Sequence, residues 1–231
     1  MKRPNNFRKY LHGKRKNSIF AVNMAKGVID KTIIIRHIVN MDTSQKNIKE
    51  KRFPKFANFG EYLFWSYANL QMLCAALNMG KEKYDKSCYI IRAKAFKAYK
   101  EGRWIIHDLL EFNVAKIKEN NYCWYCGQEM EPSKLTKDHV FPRSKGGAND
   151  MDKVCKTCNT SKGNMDLFEW YCEVRKEWPP LNILIHYLKN IYLYSIDNGL
   201  MDKHAEDLDA MNLPFKWQYI PLDYPQPEYF M

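Results

Sequence analysis

The sequence predicts an α+β protein, mostly helical, with a small cysteine-braced module embedded between helical flanks. Three observations predict it. Apolar residues recur at helical spacing on both sides of a central stretch, two CxxC pairs bracket that stretch, and no internal repeat or low-complexity tract divides the 231 residues in another way. An apolar content of 45% is that of a folded chain with a packed core.

The first helix is read from Asn58, which with Glu61 three residues on makes a capping arrangement ahead of Leu63, Tyr67, Leu70, Cys74 and Leu77; Gly80 ends it. A second helix, 83–100, places Tyr84, Cys88, Ile91 and Ala95 on one face and stops near Gly102. A third, 104–119, aligns Ile106, Leu109, Leu110, Val114 and Ile117. Trp65 and Trp104 are read as core residues, since large aromatics more often fill a core than stack on bases. Beyond the central stretch, Asp166 caps a helix carrying Leu167, Trp170, Tyr171 and Val174, which Pro179 and Pro180 terminate. An amphipathic helix over 183–196 follows, and the last eighteen residues, with Pro214, Pro221, Pro225 and Pro227, run extended over the surface. The β-branched run 32–39 reads as a strand or as a buried helix segment. The chain thus divides into a basic segment 1–55, a helical region 56–120, the module 121–175, and a helical region 176–231 with its Pro and aromatic tail.

The net charge of +11 is local. Residues 1–55 hold 15 Lys or Arg against Asp30, Asp42 and Glu50, and the remainder carries −1. A basic segment attracts a polyanion because each neutralised phosphate releases condensed counterions, and it serves equally as a solvated tail. The basic N-terminus lacks an apolar signal core, and the longest apolar stretch, 62–77, is interrupted by Ser66, Asn69 and Gln71, so neither export nor a membrane span is indicated. Seven cysteines in such a chain point to a reducing, cytoplasmic compartment, where paired cysteines bind metal more often than they form disulfides. Cys74, Cys88 and Cys172 lie among apolar residues and read as packing.

The remaining four cysteines frame residues 123–163, CWYCGQEMEPSKLTKDHVFPRSKGGANDMDKVCKTCNTSKG. Cys123/Cys126 and Cys155/Cys158 are separated by 28 residues and match a tetrahedral four-thiolate zinc site built from two tight knuckles. Gly127 fits the first of these turns. Four thiolates leave no open coordination position, so this zinc is structural and fastens the ends of the intervening segment.

Between and after the pairs stand Asp138-His139, Pro142, Arg143-Ser144-Lys145, Gly146-Gly147, and then Asn159, Lys162 and Gly163. In this order the segment resembles the HNH nucleases, whose ββα-metal motif reads CxxC, DH-x-x-P-x-S-x-GG, CxxC, then His or Asn and a nearby Lys. The resemblance covers about forty residues. It implies a metal-dependent endonuclease that hydrolyses phosphodiesters by in-line attack, leaving 5′-phosphate and 3′-hydroxyl ends, with DNA favoured over RNA as the nucleic-acid partner. One such site cuts one strand, so duplex cleavage calls for a homodimer or two successive nicks.

Roles follow for the residues. An imidazole remains largely neutral at physiological pH, so His139 is the candidate base that takes a proton from water. Asp138 points to the opposite side from His139 if both lie on a strand, and is the candidate metal ligand. Asn159, at the start of the following helix, would offer its amide oxygen as the second ligand. Many relatives have His there; two oxygen ligands make a hard site that favours Mg²⁺ or Mn²⁺. The residue that orients the histidine is Asn149 or a backbone carbonyl, because the segment before the second CxxC is shortened and Lys153 falls where the family's asparagine aligns. Arg143, Lys145 and Lys162 are candidate phosphate contacts. His12, His37, His107, His186 and His204 fall outside any ligand pattern. Two other readings stand beside the DNA nuclease: a zinc-ribbon module that binds without cutting, and an RNA-cutting enzyme.

Overall fold

Helix α1, Phe59–Asn78, begins where the sequence predicts. Asn58 is extended and its side chain accepts from the Glu61 backbone N–H at 2.9 Å, which satisfies one of the donors a helix start leaves open. The computed structural model describes residues 53–106, 121–142, 144 and 151–231. The basic arm, the 32–39 run, the expected third helix beyond Ile106, Arg143, Lys145 and Asn149 lie outside the described residues.

α1 is apolar around most of its circumference and is buried accordingly, with Phe59, Leu63, Tyr67, Ala68 and Leu73 almost fully enclosed. Two of the polar side chains that interrupt it are buried and satisfied inside: Ser66 Oγ meets the Tyr224 hydroxyl at 3.2 Å, and Asn69 Nδ2 donates to the Trp65 carbonyl at 2.9 Å. At its start, Gly60 donates to the Met201 carbonyl at 2.8 Å; a Cβ there would lie 2.9 Å from the same oxygen, so only glycine permits the approach.

Helix α2, Lys86–Lys100, starts three residues later than expected because Asp85 caps it, accepting from the Cys88 N–H. It lays Cys88, Ala95, Ala98 and Tyr99 inward and leaves its lysines outside. Trp65 is core, as read. Trp104 is not: it is 42% exposed, because α2 ends at Lys100 and the chain turns at Gly102, where the indole meets Tyr99 edge-on at 6.0 Å.

The sheet has two strands, β1 Leu135–His139 and β2 Met151–Cys155, paired antiparallel with Leu135 opposite Cys155 and His139 opposite Met151. Helix α3, Lys156–Lys162, follows β2 directly, so the centre of the chain is a ββα unit. Helix α4, Leu167–Trp170, is capped by Asp166 as expected, but it then widens into one π turn, Tyr171–Arg175, and stops at Lys176, which takes a left-handed conformation at φ 55°. The wider turn shifts the facing of the side chains, and Val174, expected on the apolar face, is 47% exposed. The two prolines do not end this helix; Pro180 caps the next one, α5 Leu181–Asp197. No helix among the described residues is long and apolar enough to cross a membrane.

One apolar cluster joins α1, both cysteine knuckles, α4, α5 and the tail. The tail does run over α1 and the segment ahead of α2, but as part of the core: Phe215, Ile220 and Tyr224 are buried, and the carbonyls of Ile220, Leu222 and Pro225 accept from Tyr62, Trp65 and Tyr84. The ββα unit is fastened to this body by Phe141, which packs against Tyr187, Tyr194 and Phe215 two residues after β1 ends.

Asp166 ties the layers together. Fully buried, it accepts from the Glu169 N–H at 2.9 Å, the Lys216 N–H at 3.1 Å and the Tyr187 hydroxyl, one donor each from α4, the tail and α5. Burial raises its carboxyl above the ordinary range, against the pull of these donors. Asp166→Ala strands all three donors and should destabilise the protein by about 3 kcal/mol in urea unfolding. A loss under about 1 kcal/mol would mean that the contacts relax to other acceptors.

Candidate active site and metal centre

The two CxxC pairs converge. The Sγ atoms of Cys123, Cys126, Cys155 and Cys158 lie within 4.8 Å of one another, the one group of three or more His, Cys, Asp or Glu ligands among the described residues. Local structure explains the convergence. Gly127, at φ 65°, donates to the Cys123 carbonyl at 2.7 Å and closes the first knuckle. Trp124 N–H then bonds the Lys153 carbonyl at 3.0 Å, and Cys155 N–H points to Cys123 Sγ at 3.2 Å, pinning that knuckle to the edge of β2. The second knuckle is the cap of α3, where Cys155 Sγ accepts from the Cys158 N–H.

Sulfurs this close fit a tetrahedral ion, for which Zn–S bonds of about 2.3 Å imply S···S separations near 3.8 Å. They cannot all carry charge without a cation among them: a hydrogen bond from Cys158 holds the Cys123 thiol down to about 4, and that same contact pushes Cys158 up. Arg175 adds a fixed positive charge at the edge of the cluster. Its guanidinium lies 5.2 Å from the Trp170 ring centroid and 5.6 Å from that of Tyr171, and its Nη1 donates to Cys158 Sγ at 3.7 Å. Nothing in the spacing of the sequence marks Arg175, which the π turn brings to this position.

The second centre is on the ββα unit itself. Asp138 lies on β1, and its Oδ2 receives both the Tyr125 hydroxyl at 2.8 Å and Lys162 Nζ at 2.9 Å. Lys162 is 1% exposed and also donates to the His139 carbonyl at 3.4 Å. The expected phosphate contact at Lys162 is therefore corrected: one turn along α3 from Asn159, it points inward to the sheet and is occupied by Asp138. Asn159 Nδ2 donates to Thr136 Oγ1 at 3.1 Å, and Thr136 in turn bonds the Val154 carbonyl. Residues 136 and 138 share a face of β1, and residues 159 and 162 share a face of α3, so the helix lies across that face in two rungs. Asn159 and Asp138 stand on the same side of the sheet, although the contact Asn159 makes is with Thr136.

His139, half-buried, follows Asp138 at the end of β1, and its ring hydrogen-bonds to none of the described residues. Val140 and Phe141 are buried directly after it, which fixes the backbone that carries the imidazole. Two residues of this site were missed in the sequence. Tyr125 sits inside the first CxxC and gives no signal there; its hydroxyl reaches Asp138 while Tyr171 donates to its carbonyl at 2.7 Å. Thr136 could have been found, since strand alternation places it beside Asp138.

The arrangement has a counterpart among known proteins. Residues 123–166 match the family described as HNH endonuclease. The match spans the segment that carries both centres. The chain is also similar to a SPbeta prophage-derived protein of Bacillus subtilis (strain 168), YoqL, whose name places it among HNH endonucleases, with 31% identity over 94 residues. That alignment covers 34% of this chain and 40% of the relative, so the chain spans less than half of the protein it matches. No solved structure matches the chain.

In the ββα module the two centres respond to different substitutions. If the four thiolates hold a zinc ion, Cys155→Ser should lower the metal content measured by elemental analysis and the melting temperature by roughly 10 °C, as expected for several kcal/mol in a chain of this size. Unchanged metal content and melting would remove the structural zinc. Lys162→Ala leaves the Asp138 carboxylate without its buried cation and should destabilise by about 3 kcal/mol while zinc content stays at the parent level.

Proposed function

We propose that the chain is a metal-dependent HNH endonuclease that hydrolyses phosphodiester bonds, with DNA as the favoured substrate. The observation that carries this reading is the pairing of Asp138 with His139 at the end of β1. Among the described residues the carboxylate has both of its donors, Tyr125 and Lys162, on one oxygen, and the neighbouring imidazole hydrogen-bonds to none of them. A merely binding zinc ribbon has no need of a carboxylate whose Oδ1 takes no donor among the described residues, or of a histidine beside it.

In the proposed reaction His139 removes a proton from a water molecule onto a ring nitrogen as the water oxygen attacks phosphorus in line. The bond to the 3′ oxygen breaks, that oxygen takes a proton from solvent, and the ends are 5′-phosphate and 3′-hydroxyl. Asp138, through its open oxygen, and Asn159, through its amide oxygen, would hold Mg²⁺ or Mn²⁺, which supplies charge stabilisation for the phosphate and the departing oxygen. The donor set fits such a hard ion: both ligand atoms are oxygens, and the remaining positions fall to water and phosphate. Lys162 and Tyr125 fix the carboxylate so that little reorganisation is needed on substrate binding. Arg143 and Lys145 are proposed phosphate contacts, and Asn149 or a backbone carbonyl the group that orients His139. Duplex cutting would use a homodimer or two nicks.

Supercoiled plasmid, single-stranded RNA and tRNA, each offered with Mg²⁺ or Mn²⁺ and with EDTA, test the reading. Metal-dependent nicking of plasmid supports it, cutting of RNA alone moves the substrate to RNA, and binding without any cutting favours the non-catalytic module. His139→Ala should lower the nicking rate by about 10²–10⁴-fold with binding and melting unchanged, since it removes the base alone. Parent-level turnover in that variant would remove His139 from the mechanism.

A further inference from the structure

The β1–β2 register places Lys137 directly opposite Lys153. Both side chains are exposed, and neither makes an ion pair with the described residues. The Lys153 carbonyl is turned outward to accept from Trp124 N–H at 3.0 Å. The backbone groups of this rung therefore point away from each other, the antiparallel geometry that brings opposed side chains closest, with Cα atoms about 4.5 Å apart. Like charges so placed oppose strand pairing. The hairpin is only five residues long on each strand and, among the described residues, has no third strand to share the cost.

The location of the pair gives the repulsion a use. Strand alternation sets residues 137 and 139 on one face of β1, so the two ammonium groups share the face of His139, opposite to the one that α3 covers through Thr136 and Asp138.

We infer that Lys137 and Lys153 form a phosphate-binding clamp that seats the nucleic-acid backbone beside His139. The inference rests on the nuclease reading for the class of ligand and for nothing else. A backbone phosphate between the two ammonium groups converts their mutual repulsion into two attractions, so the rung is strained in the free protein and relieved in the complex. Neither lysine need touch a base, so the clamp positions the strand without reading sequence.

The test measures stability and binding in the same variants, because a phosphate clamp moves them in opposite directions. All are made in the full chain carrying His139→Ala, with a labelled duplex oligonucleotide in EDTA, so that cutting plays no part. Lys153→Glu should raise the melting temperature by roughly 1–3 °C, as opposed charges replace like ones across the rung. The same variant should weaken binding about tenfold or more at 0.1 M salt. Lys137→Gln with Lys153→Gln should reduce the slope of log affinity against log salt by about 1.8, or 0.9 for each lost phosphate contact. Lys176→Gln with Lys203→Gln removes the same charge elsewhere and should leave both readouts near the parent. Higher melting with unchanged affinity and slope would reduce the pair to surface charge and overturn the clamp, as would an equal loss in the control. A wild-type chain that binds the duplex but fails to cut it with Mg²⁺ or Mn²⁺ removes the nuclease reading and leaves the clamp standing; a wild-type chain that binds no oligonucleotide overturns both.

Discussion

A buried ammonium and a carboxylate hold the helix of the module across its hairpin. Enclosing Lys162 costs several kcal/mol of hydration, which an ion pair recovers only with good geometry and further hydrogen bonds. Both conditions are met, because Asp138 Oδ2 sits 2.9 Å from Nζ, the His139 carbonyl takes a second donor, and Tyr125 adds a hydroxyl to the same carboxylate oxygen. The pair therefore fixes three things together: the crossing of α3 over β1, the position of the candidate ligand, and the backbone of the candidate base.

The sulfur cluster supplies the constraint that this pair relies on. Cys123 and Cys126 lie before β1, while Cys155 ends β2 and Cys158 lies in α3, so a shared ion would close the hairpin at its open end. Tyr125 reaches Asp138 only because the knuckle that contains it is pinned to β2 through Trp124 and Cys155. The cysteine cluster and the candidate catalytic carboxylate are thus connected through one tyrosine, whose own carbonyl is anchored by Tyr171 from the π turn. Phe141 on one side and Trp170 on the other carry the arrangement into the helical body, Trp170 donating to Ser161 of α3 at 3.1 Å.

Much of the fold was legible because its signals are local. The Asn58 and Asp166 caps, the amphipathic run that became α5 and the burial of Cys88 and Cys172 depend on spacing and on chemistry within a few residues. Trp104 and Val174 escaped for a different reason. Each lies where the backbone departs from regular helix, one past a glycine turn and one in a π turn, so a periodic pattern points the side chain the wrong way.

Within the site, the sequence by itself determined the chemical inventory: four thiols at knuckle spacing, an acid next to an imidazole, and an amide after the second pair, in the order shared with the HNH family over residues 123–166. Tertiary structure alone decided how these groups are used. It turned Lys162 inward to Asp138, gave Asp138 a tyrosine, set Asn159 against Thr136, brought Arg175 to the sulfurs and opposed Lys137 to Lys153 across the hairpin. The physical reason is that a residue's type fixes what it can donate, accept or coordinate, whereas its partner depends on which face of a strand or helix it occupies and on what packs there, and those contacts join positions 13 to 24 residues apart.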